Sequence, residues 1–295
     1  MMFRRTALVA TLSVVALTAA ACGGDDDSSS SAPEVADAPE FEAGTTMAEL
    51  ADAGTIRVGT KFDQPGFGLE NLEGDVEGFD VEIAKIIAGA LGIGEDDIEW
   101  VQTPSAVRED VIEGDEVDMV VATYTINDTR KERISFAGPY YLAGQQIMVA
   151  SDNDTIDGPE SLKENPDAQV CSVTGSTPAE QITEYLASPD QLTLFDEYSQ
   201  CADSLRNGQV DAVTTDNVIL LGFVSESDGA FKLVGEQFTE EPYGIGIKKG
   251  DVEFCEFINK TLADNEDAYQ EAWESTAGQV EGTETPELPK PDACA

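Results

Sequence analysis

The chain has 295 residues, 41% of them hydrophobic, enough for one large or two ordinary domains around a buried core, and this argues against disorder from end to end. Its 59 acidic side chains against 16 basic ones give a formal net charge of −43, which repels a polyphosphate partner and argues against nucleic-acid binding. Histidine is absent, which removes histidine-ligated metal sites, Ser-His-Asp and Cys-His catalysis, and imidazole acid–base chemistry.

The first element reads as an export signal over residues 1–21. Arg4 and Arg5 precede an apolar run from Thr6 to Ala21 that is too short to span a membrane, and no other stretch approaches that length. The run ends in Thr18-Ala19-Ala20-Ala21-Cys22-Gly23-Gly24, which resembles the lipobox of bacterial lipoproteins, with Ala19 where leucine is commoner. That resemblance implies a lipid on Cys22. Asp25-Asp26-Asp27, Ser28 to Ser31 and the Pro-rich acidic stretch to about Gly44 then read as a solvated tether over residues 22–44.

Beyond the tether, strand-like runs alternate with helical patterns, as in an α/β protein. Strands are expected at Ile56 to Thr60, Val117 to Ala122 and Gln145 to Ala150, with a helix from Asp80 to Leu91 whose apolar face repeats at 81, 84, 87, 88 and 91. A second series predicts strands at Gln169 to Val173, Leu192 to Phe195, Val210 to Thr214, Phe231 to Val234 and Tyr243 to Ile247. Helices are expected at Pro178 to Ala187, Ser199 to Asn207, Val252 to Ala263 and Ala268 to Ser275. Thr177-Pro178-Ala179-Glu180 has the form of a capping box, with Thr177 as the cap and Pro at the first helical position. No repeat of 20 to 50 residues is present, so two α/β units of about 90 residues each are expected.

Four cysteines follow Cys22. An even number in an exported chain suggests two disulfides, and of three possible pairings the local one, Cys171 with Cys201 and Cys255 with Cys294, is the expectation. None has metal-site spacing, so no metal or cofactor is expected.

Four blocks carry a family resemblance. Gly78-Phe79-Asp80-Val81-Glu82-Ile83, with Ile87-Ala88 and Leu91, is similar to the signature of the extracellular solute-binding proteins that feed polar amino acids to ABC importers. Thr123-Tyr124-Thr125-Ile126-Asn127-Asp128-Thr129-Arg130, with Phe136 and Pro139-Tyr140-Tyr141, resembles that family's ligand segment. Val173-Thr174-Gly175-Ser176-Thr177 and Val210-Asp211-Ala212-Val213-Thr214-Thr215-Asp216 follow in the family's order, and Lys61-Phe62-Asp63-Gln64-Pro65-Gly66 resembles the glutamate-binding lipoproteins of actinobacteria. The resemblance implies a two-lobed, periplasmic-binding-protein-like (type II) α/β fold, each lobe a sheet flanked by helices. The lobes would be 45–143 plus 243–281 and 144–242, with a tail at 282–295 stapled by a disulfide. Two hinge strands would cross near Ala143 to Gln145 and near Glu241 to Tyr243.

A free amino acid is a zwitterion, and enclosing it in a dry cleft demands a partner for each charge. Arg130 has the fork for an α-carboxylate and Thr125 a hydroxyl beside it. The family pattern assigns the Thr123 carbonyl and Asp216 to the α-ammonium, and Gly175, Ser176 and Thr177 to ligand contact at a helix start. Asp216 also stands where it would cap the next helix. Gln64 belongs to the glutamate-type segment. Lys61 stands where relatives for basic or neutral amino acids often carry Asp, and this reversal of charge favours glutamate, then aspartate, over lysine, arginine or histidine. Ser105 replaces an aromatic of some relatives, leaving Phe62 or Phe67 to cover the ligand.

The expected function is a monomeric, lipid-anchored binding subunit at the outer face of a bacterial cytoplasmic membrane, taking L-glutamate or a close analogue to an ABC permease. The rival readings are an amino-acid sensor serving a separate signalling protein and a dehydratase-type enzyme on the same fold.

Overall fold

The computed structural model describes residues 34–295. The export signal, Cys22 and the first part of the tether lie outside the described residues. The described part is not a free tether: the Ala36 N–H donates to Gly89 O at 2.8 Å, and Phe41 packs edge-on against Phe257 at 5.6 Å between ring centroids, because that aromatic ring gains by burial. Among the described residues, no helix is long and apolar enough to cross a membrane.

The first half runs α1 (Thr46–Ala53), β1 (Ile56–Thr60), β2 (Asp63–Gln64), β3 (Gly68–Glu70), β4 (Val76–Glu77), α2 (Phe79–Ala90), β5 (Ile98–Gln102), α3 (Arg108–Glu113), β6 (Met119–Val120), α4 (Asp128–Arg133) and β7 (Ser135–Ala143). The second half holds β8 (Gln145–Ala150), α5 (Ser161–Glu164), β9 (Val170–Val173), α6 (Thr177–Gln181), β10 (Leu192–Phe195), α7 (Tyr198–Arg206), β11 (Ala212–Asp216), α8 (Asn217–Ser225), β12 (Phe231–Val234), β13 (Glu241–Ile247), α9 (Val252–Asp264) and α10 (Glu266–Ser275).

These strands make two five-stranded sheets, β5-β1-β6-β13-β7 in lobe 1 and β10-β9-β11-β8-β12 in lobe 2, beside a small sheet of β2, β3 and β4. The chain leaves the first sheet from β7 and joins the second at β8 within two residues. It returns between β12 and β13, where Glu241 pairs with Ala143. These crossings form the hinge.

The expected helix over 80–91 appears as α2 because its apolar positions face the lobe 1 core. Gly78 precedes it at φ +130°, and a Cβ there would sit 2.3 Å from the Phe67 backbone, so only glycine fits. Phe79 packs edge-on against Tyr269 at 5.4 Å and Trp273 at 5.2 Å between ring centroids. Phe67 belongs to the same cluster, edge-on to Phe79, Tyr141, Tyr243 and Trp273. Phe67 therefore packs inside the aromatic core of lobe 1. Burying each such ring contributes roughly 1.5–3 kcal/mol.

Other expectations shift by a few residues. The strand expected over 117–122 narrows to β6, because only Met119 and Val120 lie between β1 and β13, pairing with Val58, Gly59 and Gly246. The helix expected over 178–187 is α6 followed by a 3-10 turn at Ile182–Tyr185. Strands β2 to β5 and β7 and helices α1, α3, α4, α5 and α8 carry too short or too continuous an apolar pattern to be read from the sequence.

Both local disulfides are present, Cys171–Cys201 tying β9 to α7 and Cys255–Cys294 tying the tail to α9, with sequence separations of 30 and 39 residues. Loops of that size stabilise by about 3.5 to 4 kcal/mol each in the chain-entropy model. Replacing Cys255 and Cys294 together by Ser is expected to lower the unfolding free energy in urea by about that amount while ligand affinity stays within about twofold, since this staple lies outside the cleft. Equal stability of the two proteins would show that the tail is held by other contacts.

Candidate functional site

The cleft floor is built by the segment after β6. Val121 donates to Gly59 O at 2.9 Å, and Thr123 then turns to φ +46°, a left-handed backbone that a β-branched residue keeps only under constraint. The constraint comes from Asp80 in the first turn of α2. Its Oδ2 accepts the Thr123 N–H at 2.7 Å and its Oδ1 the Tyr140 hydroxyl at 2.5 Å. Burial pushes the Asp80 carboxyl up to about 7, against the pull of those hydrogen bonds. Gln64 joins the same group, with its Oε1 3.0 Å from Thr123 Oγ1.

Three cations are buried here in a chain of 59 acids. Arg130, in an α4 capped by the Asn127 side chain, donates to Thr125 O at 2.6 Å and across the cleft to Gly175 O at 3.1 Å, with Nε beside Glu109 at 3.2 Å. Arg108 opens α3, lies 4.1 Å from the Tyr124 ring centroid and donates to Ala122 O at 3.0 Å, while its buried Nε has no partner. Burial, reinforced by neighbouring Arg130, lowers the Arg108 pKa to about 10. Lys61, 3% exposed, donates to Ser105 Oγ at 2.8 Å; burial and then Arg108 push its ammonium down to about 7. Lys61 thus stands behind Ser105, which itself lines the cavity.

The opposite wall belongs to lobe 2. Ser176, extended at φ −87° and ψ 148°, caps α6 by accepting the Ala179 N–H at 3.2 Å. The cap is therefore one residue before Thr177, and the expected Thr177–Glu180 box does not form. The Thr177 hydroxyl is turned instead to Glu241 Oε2 at 2.7 Å, the same atom that accepts the Thr125 hydroxyl at 2.7 Å. Glu241, wholly buried at the start of β13, also accepts from Gln181 at 2.9 Å and Thr239 at 3.0 Å, so one hinge carboxylate gathers both lobes.

Asp216 stands at the cap position of α8 without capping it. Its Oδ2 accepts the Tyr243 hydroxyl at 2.6 Å, and its Oδ1 is buried without a partner. Burial, then the nearby Glu241, pushes its pKa up to about 8. The cavity between the walls, lined among others by Ser105, Arg108, Thr123, Thr125, Thr177 and Asp216, measures about 10 Å³. That holds at most one water, so an organic ligand enters only when the lobes part. Gly175, at φ +76°, marks how close they come: a Cβ there would be 2.7 Å from Ala106 Cα.

An unpartnered carboxylate oxygen, from Asp216, and an unpartnered guanidinium nitrogen, from Arg108, belong to residues lining one cavity. Among the described residues no group of His, Cys, Asp and Glu is placed to hold a metal. Residues 56–273 match the model of the bacterial extracellular solute-binding proteins, family 3. The chain belongs to that family. This solute-binding protein is 41% identical over 232 residues to the glutamate-binding protein GluB of Corynebacterium efficiens, covering 76% of this chain and 78% of that one. It is 35% identical over 257 residues to a glutamine-binding protein of Geobacillus stearothermophilus, covering 86% and 95%. An ancestral arginine-binding protein solved bound to glutamine superposes with a TM-score of 0.70 at 36% identity, covering 77% of this chain and 99% of that one. These relatives are binding proteins, and the family description gives this solute-binding protein an extracellular place.

Of the residues singled out in the sequence, Thr123, Thr125, Ser176, Thr177 and Asp216 line one cavity, and Arg130 and Gly175 meet at its edge. Lys61 and Gln64 lie one side chain further back, against Ser105 and Thr123. Phe62 is half-buried and absent from the lining, so no aromatic from that segment covers the cavity. Arg108 and Glu241 were missed. Arg108 stands among Arg108-Glu109-Asp110, which reads as a solvated charge cluster, and Glu241 follows Glu240 before a strand. Only the fold separates the buried member of each group from its less buried neighbours.

Proposed function

We propose that this protein captures a free acidic amino acid between its lobes, L-glutamate ahead of aspartate and glutamine, and delivers it to an ABC permease. The observation that carries this reading is the burial of Arg108, Arg130 and Lys61 around one cleft opposite the unpartnered Oδ1 of Asp216. In this reading Arg130 grips the α-carboxylate, and Asp216 with the Thr123 carbonyl takes the α-ammonium. Arg108, with Lys61 behind Ser105, meets the side-chain carboxylate. Charge matching supports it: a dicarboxylic amino acid brings an ammonium for the unpartnered Oδ1 of Asp216 and a second carboxylate for Arg108, whose buried Nε has no partner. The names of the relatives, one for glutamate and one for glutamine, support the same ligand class. Delivery at the membrane would follow from a lipid on Cys22 and a tether long enough to let the lobes reach the permease.

Calorimetry of the ligand-stripped protein against all twenty amino acids tests this. Glutamate is expected to bind most tightly, aspartate and glutamine more weakly, and lysine, arginine and histidine not at all. Tightest binding of a basic or apolar amino acid would overturn the reading.

A further inference from the structure

Helix α7 begins without a cap of its own: Glu197 occupies the cap position and makes no side-chain hydrogen bond to the first turn. Its leading amides are met instead by the other lobe. Asp63 Oδ2, from β2, accepts the Tyr198 N–H at 2.7 Å and the Ser199 N–H at 3.3 Å, and Asp63 is 8% exposed. A second cross-lobe bond stands beside it, Gln102 Nε2 to Glu197 Oε1 at 2.5 Å.

Topology places the Gln102–Glu197 contact, and with it the start of α7, at the mouth. In lobe 1 the hinge strands β7 and β13 lie at one end of the sheet order and β5, which ends at Gln102, lies at the other. In lobe 2, β8 and β12 lie at the hinge end, and β10, whose end leads into α7, is the far edge. A rotation about the hinge parts these edges, so opening separates the lobe 1 carboxylate of Asp63 from the start of α7. We propose that Asp63 is the clasp of the closed cleft: a lobe 1 carboxylate that completes the first turn of a lobe 2 helix only when the lobes meet, and so sets how long the ligand is held.

Asp63 acts as a positioning residue, through two links to the cavity. Tyr198, whose amide it holds, also lines that cavity. Cys201 of α7 is bonded to Cys171 of β9, the strand leading into Gly175, Ser176 and Thr177. A carboxylate at a helix start satisfies orphan amides and is attracted by the positive end of the helix dipole, and asparagine caps as well as aspartate, whereas alanine does not. The clasp rests on the ligand reading above, and its test is arranged to be read separately.

With L-glutamate as the probe, stopped-flow kinetics on Asp63→Ala should show dissociation faster by about tenfold with association within about twofold of wild type, because contacts made after docking govern release. Asp63→Asn should restore most of the slow release. Equal rates in Asp63→Ala and wild type would overturn the clasp, as would an Asp63→Asn as fast as Asp63→Ala. Amide hydrogen exchange of the unmodified protein needs no variant: Tyr198 and Ser199 are expected to exchange more slowly with glutamate bound, and unchanged exchange would overturn the proposal. If no amino acid binds, the ligand reading fails, while small-angle scattering still tests the clasp. Ligand-free Asp63→Ala should then have a larger radius of gyration than wild type, and an equal radius would overturn it.

Discussion

Asp216→Asn is expected to weaken every amino-acid ligand by roughly 30- to 5,000-fold, the equivalent of about 2 to 5 kcal/mol for removing one partner of a buried charge pair. Asparagine keeps an oxygen for the Tyr243 hydroxyl but offers no negative charge to an ammonium group. The same variant should stabilise the ligand-free protein, and the sign follows from linkage. Burial raises the Asp216 pKa to about 8 from an ordinary value of 3.8, so its contribution to stability is full below about pH 4 and lost as pH rises through 8. The advantage of Asp216→Asn in urea unfolding should therefore grow from pH 5 to pH 8. Calorimetry in buffers of different ionisation heat adds a further check near pH 7, where wild type should expel a proton from Asp216 as the ammonium arrives and Asp216→Asn should not. A variant that binds glutamate at wild-type strength would remove Asp216 from the ligand site. Arg130 is the less clean probe, because its guanidinium also holds Thr125 O, Gly175 O and Glu109.

Glutamate over glutamine is the second large effect. Arg108→Met should cost glutamate at least about a hundredfold more affinity than glutamine, because only glutamate is left with an unpaired carboxylate in the shut cleft. Lys61→Met should show the same bias at about tenfold, since Lys61 acts from behind Ser105. Paired titrations with the two ligands read this difference directly. A loss shared equally by glutamate and glutamine in both variants would assign side-chain selection elsewhere, with Ser176 and Thr177 the next positions to change. Lys61→Met also has a stability signature opposite to that of Asp216→Asn. Burial lowers Lys61 to about 7 from 10.5, so its contribution is full above about pH 10.5 and lost as pH falls through 7. The ligand-free variant should gain most over wild type near pH 6.

What the sequence determined by itself is local. The apolar repeat of α2 sits within twelve residues, the Cys171–Cys201 and Cys255–Cys294 loops close over short spans, and the ordered blocks from Gly78 to Asp216 carry the family and the two-lobed fold. Periodicity, loop closure and motif spacing are readable there because the interacting groups are near neighbours in the chain. The tertiary structure decided the rest. It took the cap of α6 from Thr177 to Ser176, freeing the Thr177 hydroxyl for Glu241 across 64 positions of sequence. It sent Phe67 into the aromatic core and turned Asp216 from capping α8 to facing a cavity. It also chose Arg108 rather than Arg133 as a buried cation, although both stand among acids in the chain, because α3 packs under Tyr124 while Arg133 stays at the surface with Asp110 and Glu113. Desolvation makes that choice matter. The same guanidinium is a weak surface pair in water and a strong demand for an anion once two lobes close over it, and only the closed arrangement of distant segments tells the two apart.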